Sequence, residues 1–388
     1  MDPVALKSSW AVVAKSGDDV PLFFYSHLFL SHPELRELFP VSMAGQRDKL
    51  VGALAAVVSN VDQLDAVVPF IQQLGRDHRR FSVVAEHYNA VGASLLATLQ
   101  HFLGPAWTPQ LASEWAGAYG AISAVMVQAA EEAAGTSPAH WPAEVVGVDR
   151  RTMDVTVIQV RPSEPLAYAP GQSVAMEIPY RPRRWRYFSP ANAPRDDGLI
   201  EFHIQLVPGG QVSGPAVRSL RIGDSVRLAA PVGNGLTLDG IDGRDVVMIA
   251  GGTGLAPLRA MLEALDKGWH GPGGTPNVHL FHGVRMSWNL YEHHRLSRLA
   301  QRPWFDYTPV VSEDPSFPGR RGLIGEVAAT SRSSWENQIA LVCGSPEMVA
   351  HTVRQLTKAG LPEVSIRTEH FGGAHAPSQP NHSAGGQQ

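Results

Sequence analysis

Cysteine is scarce in this chain of 388 residues, which has only Cys343. One thiol forms neither an intramolecular disulfide nor a metal site built from cysteines alone. The sequence also lacks an apolar run long enough to span a membrane. Its first residues, MDPVALKSSW, lack the basic start and apolar block of a signal peptide. We therefore expect a cytoplasmic protein with no membrane attachment.

The chain also has little excess charge of either sign. The formal net charge is −4, from 32 basic and 36 acidic residues. Such a balance gives no strong electrostatic attraction to nucleic acid, so we expect no nucleic-acid partner. At 388 residues the chain exceeds one ordinary core, and we expect two or three domains.

The first part of the chain has the period of amphipathic helices. Apolar residues recur three or four positions apart, which keeps one face of each helix buried. This pattern predicts an all-α domain over residues 1–136. The clearest stripes contain Val20, Phe24, Leu28 and Leu35; Leu50, Leu54, Val57 and Val61; and Leu111, Trp115, Ile122 and Met126.

After a proline-containing linker at residues 137–142, the period falls to two. Ile200, Phe202 and Ile204 alternate with Glu201 and His203, which predicts a strand with one buried and one exposed face. Turn signals separate such segments, and we predict an antiparallel β-barrel over residues 143–240.

From residue 241 the pattern changes again. Short apolar runs at residues 246–250, 278–281 and 339–342 alternate with helical stretches, which is typical of a doubly wound α/β domain with a parallel sheet. We place this domain at residues 241–372. Residues 373–388 are rich in Gly, Ser, Pro, Asn and Gln and predict a disordered tail.

Two side chains of the helical part are candidates for a ligand pocket. His78 continues the apolar stripe of Val67, Ile71 and Leu74, where it could ligate iron or be a buried histidine bonded to backbone. Tyr25 lies on the buried stripe of its own helix. Its hydroxyl could bond a diatomic ligand, or Tyr25 could be an ordinary core tyrosine.

Several segments of this domain resemble flavohaemoglobins, namely residues 24–29, 32–35, 75–78, 87–92 and 115–120. The resemblance implies a haem b group with His78 as the proximal iron ligand. It also implies roles for five further residues around the haem. They are the distal groups Tyr25 and Gln46, the apolar gate Leu50, the haem-packing ring Phe39 and the proximal partner Tyr88.

The chain departs from flavohaemoglobins on the proximal side. The family commonly places a glutamate on the last helix, hydrogen-bonded to the proximal histidine, which pushes electron density onto the iron. The matching position here is Ala130, and Glu131 follows one residue later. Asp77 stands where a lysine usually precedes the histidine. The resemblance therefore implies that electron donation from the proximal histidine to the iron is weaker here or depends on other residues.

Arg186, Tyr187, Phe188 and Ser189 resemble the Arg-x-Tyr-Ser motif of ferredoxin-reductase-like flavoproteins, with Phe188 in place of the usual tyrosine. The arginine suits a pyrophosphate, the aromatic ring stacks on isoalloxazine, and the serine reaches the flavin N5 region. Strand alternation directs Tyr187 to the opposite face. The alternatives for Arg181, Arg183, Arg184 and Arg186 are a solvated basic patch and a nucleic-acid contact, and the lack of a wider basic field weighs against the second.

A glycine-containing segment before a short helix is a second candidate for FAD binding, because backbone N–H groups at a helix start suit a diphosphate. The alternative is a simple hairpin turn. The candidate residues of the segment are Gly210, Gln211, Val212 and Ser213. Residues 170–172 resemble a third segment of the family, in which the next position, Ser173 here, is typically aromatic.

A glycine loop follows the apolar strand at residues 246–250 and precedes a helix, the context that a phosphate-binding loop requires. Its residues are Gly252, Thr253, Gly254, Leu255, Ala256 and Pro257. Cys343 and Gly344 resemble the family's segment beside nicotinamide, although Cys343 could be a small buried hydrophobe. Phe371 matches the family residue that covers the flavin. Arg285 could contact a 2′-phosphate or be a solvated arginine, so NADH and NADPH both stay open.

Across residues 3–372 the order of the domains resembles that of a flavohaemoglobin. The resemblance implies electron transfer from NADH or NADPH through FAD to haem b, with conversion of nitric oxide and dioxygen to nitrate and no protein partner required. Two alternatives stay open. One is a flavin–haem reductase acting on peroxides or another donor, and the other is an oxygen-binding or sensing globin kept ferrous by its reductase.

Overall fold

The computed structural model describes residues 2–241, 243–268 and 276–371. The chain forms two compact units, Met1–His140 and Trp141–Gln388, which we call the helical unit and the sheet unit. The predicted tail, residues 373–388, lies outside the described residues. In the part of the chain that the structure describes, no helix is long and apolar enough to cross a membrane.

Two helices of the helical unit begin at residues whose side chains accept hydrogen bonds from free backbone N–H groups. Asp2 accepts hydrogen bonds from the N–H groups of Val4 and Ala5 and caps the first helix. Thr108 caps the sixth helix, and Pro109 occupies its first turn. The helices are α1 (Pro3–Val13), α2 (Asp19–Ser31), α3 (Ala44–Ser59), α4 (Leu64–His78), α5 (Ala85–Leu103) and α6 (Pro109–Ala134).

Apolar side chains of the helical unit form two separate clusters. The larger contains Leu6, Leu28 and Leu99, which are almost wholly buried on α1, α2 and α5. The smaller contains Ile71 of α4 and Met126 of α6. The two are a main core and a smaller satellite cluster, as is usual for one domain.

The sheet unit begins with a six-stranded antiparallel sheet in the order β4-β3-β6-β1-β2-β5. An isolated bridge between Pro190 and Phe202 joins the segment after β4 to β5 and brings the two edges together, as predicted for a barrel. Its elements are β1 (Trp141–Arg150), β2 (Val155–Pro162), β3 (Val174–Glu177), β4 (Trp185–Phe188), β5 (Ile200–Gln205), α7 (Ser213–Ser219) and β6 (Ser225–Leu228).

The second sheet is parallel, with the order β10-β9-β8-β7-β11-β12. Residues 246–250 of β7 are fully buried, as expected for a strand covered on both faces. The prediction of a doubly wound α/β domain is confirmed. Its elements are β7 (Asp245–Gly251), α8 (Leu255–Gly268), β8 (Val278–Val284), α9 (His293–Leu299), β9 (Phe305–Val311), β10 (Arg320–Arg321), α10 (Ile324–Ala329), β11 (Gln338–Gly344), α11 (Pro346–Lys358) and β12 (Ile366–His370).

The prediction that β5 has one exposed face is wrong. Glu201 and His203 are buried although they alternate with apolar residues. They meet Arg259 of α8, whose Nη1 lies 2.6 Å from Glu201 Oε1. Arg259 Nε also lies 3.1 Å from Oε2 of buried Glu292. The polar face of β5 is therefore paired with ionic groups of the parallel-sheet domain instead of water.

The predicted linker ends earlier than expected. β1 begins at Trp141, so Trp141 and Pro142 belong to a strand and pair with Leu228 and Arg227 of β6. Proline is tolerated near the start of a strand, where fewer ladder hydrogen bonds need its missing N–H. The Pro142 carbonyl accepts a hydrogen bond from Ser163 N–H at 2.8 Å.

Helices α4 and α6 touch at Gly75, and this contact predicts a sharp difference between two glycine substitutions. A Cβ atom at Gly75 would lie 2.7 Å from Met126 Cα, too close for any side chain, whereas one at exposed Gly117 would meet nothing within 4 Å. We expect Gly75→Ala to destabilise the helical unit by about 1–3 kcal/mol through overpacking. Gly117→Ala should be neutral or stabilise it by about 0.5–1 kcal/mol.

Thermal unfolding of both variants, followed by the helical signal in circular dichroism, measures this difference. Equal melting temperatures for the two variants would contradict the close packing of α4 against α6.

Candidate functional site

His78 ends α4 with its ring held in one orientation. Its Nδ1 lies 2.6 Å from the backbone carbonyl of Leu74, which only accepts hydrogen bonds. Nδ1 therefore carries the proton, and Nε2 keeps its lone pair. Burial lowers the pKa of His78 from its ordinary value, although the Leu74 carbonyl and Asp77 oppose the shift. A neutral imidazole with a free Nε2 lone pair is the form that ligates a metal.

The surroundings of His78 match the predicted proximal side only in part. The Tyr88 ring lies 6.4 Å from the His78 ring, centroid to centroid. The Tyr88 carbonyl accepts a hydrogen bond from Tyr119 Oη at 2.7 Å, which ties α5 to α6. Ala130 is half-buried on α6, and Glu131 is exposed. The observed partner of His78 Nδ1 is thus a backbone carbonyl, where the family commonly has a carboxylate.

The structure brings the predicted distal residues together. Tyr25 is buried on α2, and its Oη donates to the backbone carbonyl of Gln46 at 3.4 Å. The Tyr25 ring meets the Phe39 ring edge-on, 5.5 Å between centroids. Leu50 packs against the same cluster. Burial raises the pKa of Tyr25 far above its ordinary value, so the phenol keeps its proton and remains a donor.

These residues fit a haem group. An axial ligand is available in His78, a phenol donor in Tyr25, and an aromatic wedge in Phe39. The side chains fall into two apolar clusters, with Tyr25, Phe39 and Leu50 in one and Leu74 and Tyr88 in the other. A flat macrocycle needs two such walls and one nitrogen ligand.

The register of β3 and β4 sets the directions of the predicted flavin motif. Phe188 pairs with Val174 and Arg186 with Met176, and Tyr187 lies between them. Arg186 and Phe188 therefore share one face of β4, and Tyr187 takes the other, as alternation predicts. Phe188 is half-buried against the barrel core, and Arg186 is exposed.

Ser189 begins a buried chain of hydrogen bonds that the sequence did not reveal. Its Oγ lies 3.0 Å from Ser173 Oγ, which donates to Glu369 Oε1 at 2.8 Å. Glu369 Oε2 is buried and has no hydrogen-bond partner within the described residues. Burial raises the pKa of Glu369 to about 7, although the Ser173 hydrogen bond opposes the shift. Glu369 is therefore a buried carboxyl that can hold or release a proton near neutral pH.

Glu369 was missed as a site residue because Ser173 and Glu369 are 196 residues apart. The available signal was its position two residues before Phe371, inside the closing segment at residues 369–372. The Phe371 N–H donates to the Gly344 carbonyl at 2.9 Å, so β12 carries both residues to the carboxyl end of β11.

The predicted diphosphate loop of the barrel, residues 210–213, would contact a ligand through its backbone more than through its side chains. Val212 is 1% exposed and packs in the barrel core, whereas Gln211 is exposed. Ser213 Oγ accepts a hydrogen bond from Val207 N–H at 3.2 Å and fixes the loop. A Cβ at Gly210 would lie 2.9 Å from the Val207 carbonyl oxygen. Any diphosphate contact at Val212 would therefore be made by its N–H group.

The glycine loop after β7 is also a backbone site. Gly252 has φ +54°, in the left-handed region. A Cβ at Gly254 would lie 2.7 Å from the Cys343 carbonyl carbon, so only glycine lets the loop approach β11. His282 Nε2 lies 3.1 Å from the Gly252 carbonyl and donates to it. The side chains that follow are buried in the core, namely Leu255, Ala256 and Pro257, while Thr253 is half-buried.

The Cys343 side chain is fully buried in the same core as Leu255, and burial raises the pKa of its thiol well above the ordinary value. It is a neutral thiol there. At the predicted nicotinamide position Cys343 presents only its backbone, which lies beside Gly254 and Gly344. The role of Cys343 in the site therefore stays a prediction.

Comparisons with known proteins match all three parts of the chain. The globin family model matches residues 22–126, the oxidoreductase FAD-binding domain matches residues 143–235, and the oxidoreductase NAD-binding domain matches residues 248–354. These matches agree with a helical haem-binding part, an antiparallel flavin-binding part and a parallel-sheet nucleotide-binding part.

Similar proteins cover most of the chain. The flavohemoprotein of Bacillus subtilis is 27% identical over 95% of this chain and 96% of its own length. The flavohemoprotein of Bordetella parapertussis is 31% identical over 67% of this chain and 69% of its own length. A crystal structure of flavohemoglobin from Malassezia yamatoensis with bound FAD and heme shares the fold, with a TM-score of 0.73, 18% identity, and coverage of 95% and 98%.

The raised pKa of Glu369 predicts a pH-dependent stability difference. The folded chain keeps a proton on Glu369 up to about pH 7, whereas the carboxyl of an unfolded chain loses it near 4.5. Its contribution to stability is therefore full below 4.5 and is lost as pH rises through 7. Glu369→Gln removes this loss, so the variant should gain melting temperature relative to wild type from pH 5 to pH 8.

Calorimetry of both proteins across this range measures the effect, with the exposed Glu363→Gln as a control that should follow wild type. A constant difference between Glu369→Gln and wild type would contradict the assigned environment of Glu369.

Proposed function

Because the chain belongs to the flavohaemoprotein family, we propose that it is a nitric oxide dioxygenase that uses NADH or NADPH, FAD and haem b. The substrates are nitric oxide and dioxygen, and the product is nitrate. When bound, FAD accepts hydride and releases single electrons, and haem iron binds dioxygen. The chain carries all three binding modules, so the reaction needs no protein partner.

The loop around Gly252 and Gly254 would hold the nucleotide. Its backbone N–H groups lie at the start of α8, where they can bind the negatively charged phosphates. Phe371 follows β12, and its N–H donates to the carbonyl of Gly344, a residue that lies next to Gly251 at the start of this loop. Phe188 would stack on the flavin, and Arg186 on the same strand face would pair with pyrophosphate.

Ser189, Ser173 and Glu369 hold the proton that accompanies hydride chemistry. The two hydroxyls connect to Glu369 Oε1 without leaving the protein interior. A carboxyl with a pKa of about 7 exchanges its proton at neutral pH with little driving force lost. These three residues would keep proton supply near the flavin while the surrounding core excludes water.

The observation that carries the dioxygenase proposal is the buried Tyr25 hydroxyl beside Gln46 and Phe39. The protonated Tyr25 phenol in this apolar cluster would donate a hydrogen bond to a negatively charged ligand beside the haem. His78 Nε2 would hold the iron, and Leu50 would limit access along the apolar wall.

A second candidate is an oxygen-binding globin whose reductase keeps the iron ferrous. The backbone carbonyl on His78 Nδ1 favours it, because a carbonyl partner leaves the imidazole neutral and gives less electronic push than a carboxylate. The same observation weighs against a peroxide-reducing enzyme. The rate of steady-state nitrate formation from nitric oxide, dioxygen and NADH or NADPH separates these functions, since a dioxygenase sustains nitrate formation as fast as its flavin is reduced, whereas an oxygen-binding globin does not.

His78→Ala should abolish stable haem binding and leave FAD bound, because the axial nitrogen is lost while the sheet unit is untouched. The absorption spectrum of the purified variant measures both groups at once. A full haem Soret band in this variant would rule out His78 as the iron ligand.

Tyr25→Phe should slow nitric oxide removal without loss of haem or flavin reduction. Hydrogen bonds to charged groups are worth about 1.5–3 kcal/mol, so oxygen should leave the reduced protein roughly ten- to a hundredfold faster. The side-chain amide of Gln46 can donate a hydrogen bond in place of the Tyr25 hydroxyl, which would reduce the change. Stopped-flow oxygen dissociation provides the measurement, and an unchanged rate would make Tyr25 a core tyrosine.

A further inference from the structure

The short segment at residues 40–42, which joins Phe39 to α3, is mostly exposed. Val41 is 92% exposed, and its neighbour Pro40 has no N–H group to donate. Burial of side chains therefore does not fix this segment. Its position nevertheless matters, because it sets where α3 begins and so how far Gln46 lies from Phe39.

The side chain of Arg36 ties this segment to the chain before it. Arg36 belongs to the short 3₁₀ helix Pro33–Leu38. Its Nη1 donates to the carbonyls of Phe39 and Pro40, at 3.2 Å each, and its Nη2 donates to the carbonyl of Val41 at 3.1 Å. The planar fork of a guanidinium has donors in the fixed geometry that such a set needs. One side chain thus holds three successive residues of an exposed segment.

The same guanidinium also packs on the aromatic rings beside the proposed haem. Arg36 Cζ lies 5.3 Å from the centroid of the Phe29 ring, close enough for a cation–π contact. The Phe29 ring lies 5.2 Å from the Phe39 ring and 5.8 Å from the Tyr25 ring, centroid to centroid. Arg36 therefore binds both this group of rings and the chain that follows it.

We propose that Arg36 is the positioning residue of the distal haem wall, because it fixes Phe39 and the start of α3 relative to Tyr25. The Tyr25 hydroxyl meets the Gln46 carbonyl at 3.4 Å, a long hydrogen bond whose geometry depends on where α3 begins. Loss of the tie should loosen the grip on haem and let the donors beside a bound ligand take several positions. The inference rests on the haem site of the proposed function and is independent of the reaction that the haem performs.

The test uses the intact protein with haem and FAD bound, and two readouts that need no turnover. Transfer of haem to an excess of apomyoglobin measures how tightly the haem is held. The stretching band of carbon monoxide bound to the reduced protein measures the field of the donors around it. Donors fixed in one position give one narrow band, and donors in several positions give a broad or split band.

Arg36→Gln should transfer haem about tenfold faster than wild type, the effect of 1.4 kcal/mol, and its carbon monoxide band should broaden or split. FAD content should stay as in wild type, because the sheet unit is unchanged. Arg36→Lys keeps the charge but lacks the planar fork, so it should recover only part of the loss. Exposed Glu37→Gln, the neighbouring change of charge, should behave as wild type.

Two substitutions at Val41 test the tie with Arg36 intact. Val41→Ala removes an exposed side chain and keeps the bonded carbonyl, so it should match wild type. Val41→Gly adds backbone freedom to the tied segment and should speed haem transfer roughly two- to fivefold. This pair decides the question even where Arg36→Gln does not fold, since equal rates for the two Val41 variants would overturn the inference.

Haem transfer and a carbon monoxide band that are unchanged in Arg36→Gln would also overturn it. Wild type that holds no haem would overturn both this inference and the haem site. Neither readout involves nitric oxide, so failure of the dioxygenase proposal alone leaves the test of Arg36 intact.

Discussion

The buried guanidinium of Arg259 joins the antiparallel and parallel sheets of the sheet unit. It is 3% exposed, and it lies between Glu201 of β5 and Glu292 before α9. Burial alone would raise the pKa of Glu201, but the hydrogen bond from His203 and the charge of Arg259 lower it well below its ordinary range. Removing one partner of such a group costs about 3–5 kcal/mol, because the remaining charge is left buried. The two sheets therefore meet in one defined orientation.

That orientation also brings together the residues of the proposed flavin site. Ser173 and Ser189 come from the barrel, whereas Glu369 and Phe371 come from β12 and the residues after it. The Ser173–Glu369 hydrogen bond joins the two sheets and would break if they slid past each other by the length of one side chain. In the helical unit the corresponding constraint is Gly75, which lets α4 pack against α6 and so fixes the helix that ends at His78.

Periodicity and short motifs were enough to predict the three fold classes, because each depends on local sequence. The glycine loop after β7 and the alternation of Arg186 and Phe188 are local in the same way. The buried polar face of β5 was not predictable, because its partner Arg259 lies on a different domain. Glu369 was missed for the same reason. The partner of His78 is local, but a backbone carbonyl leaves no trace in the sequence.

The central claim is that electrons pass within one chain from a nicotinamide nucleotide through FAD to haem iron. Anaerobic stopped-flow mixing of the purified protein with NADH tests it most directly, with flavin and haem absorbance followed together. The account predicts that the flavin is reduced first and the ferric haem next, at a rate independent of protein concentration. Haem that stays ferric after flavin reduction, or a haem rate proportional to protein concentration, would contradict it.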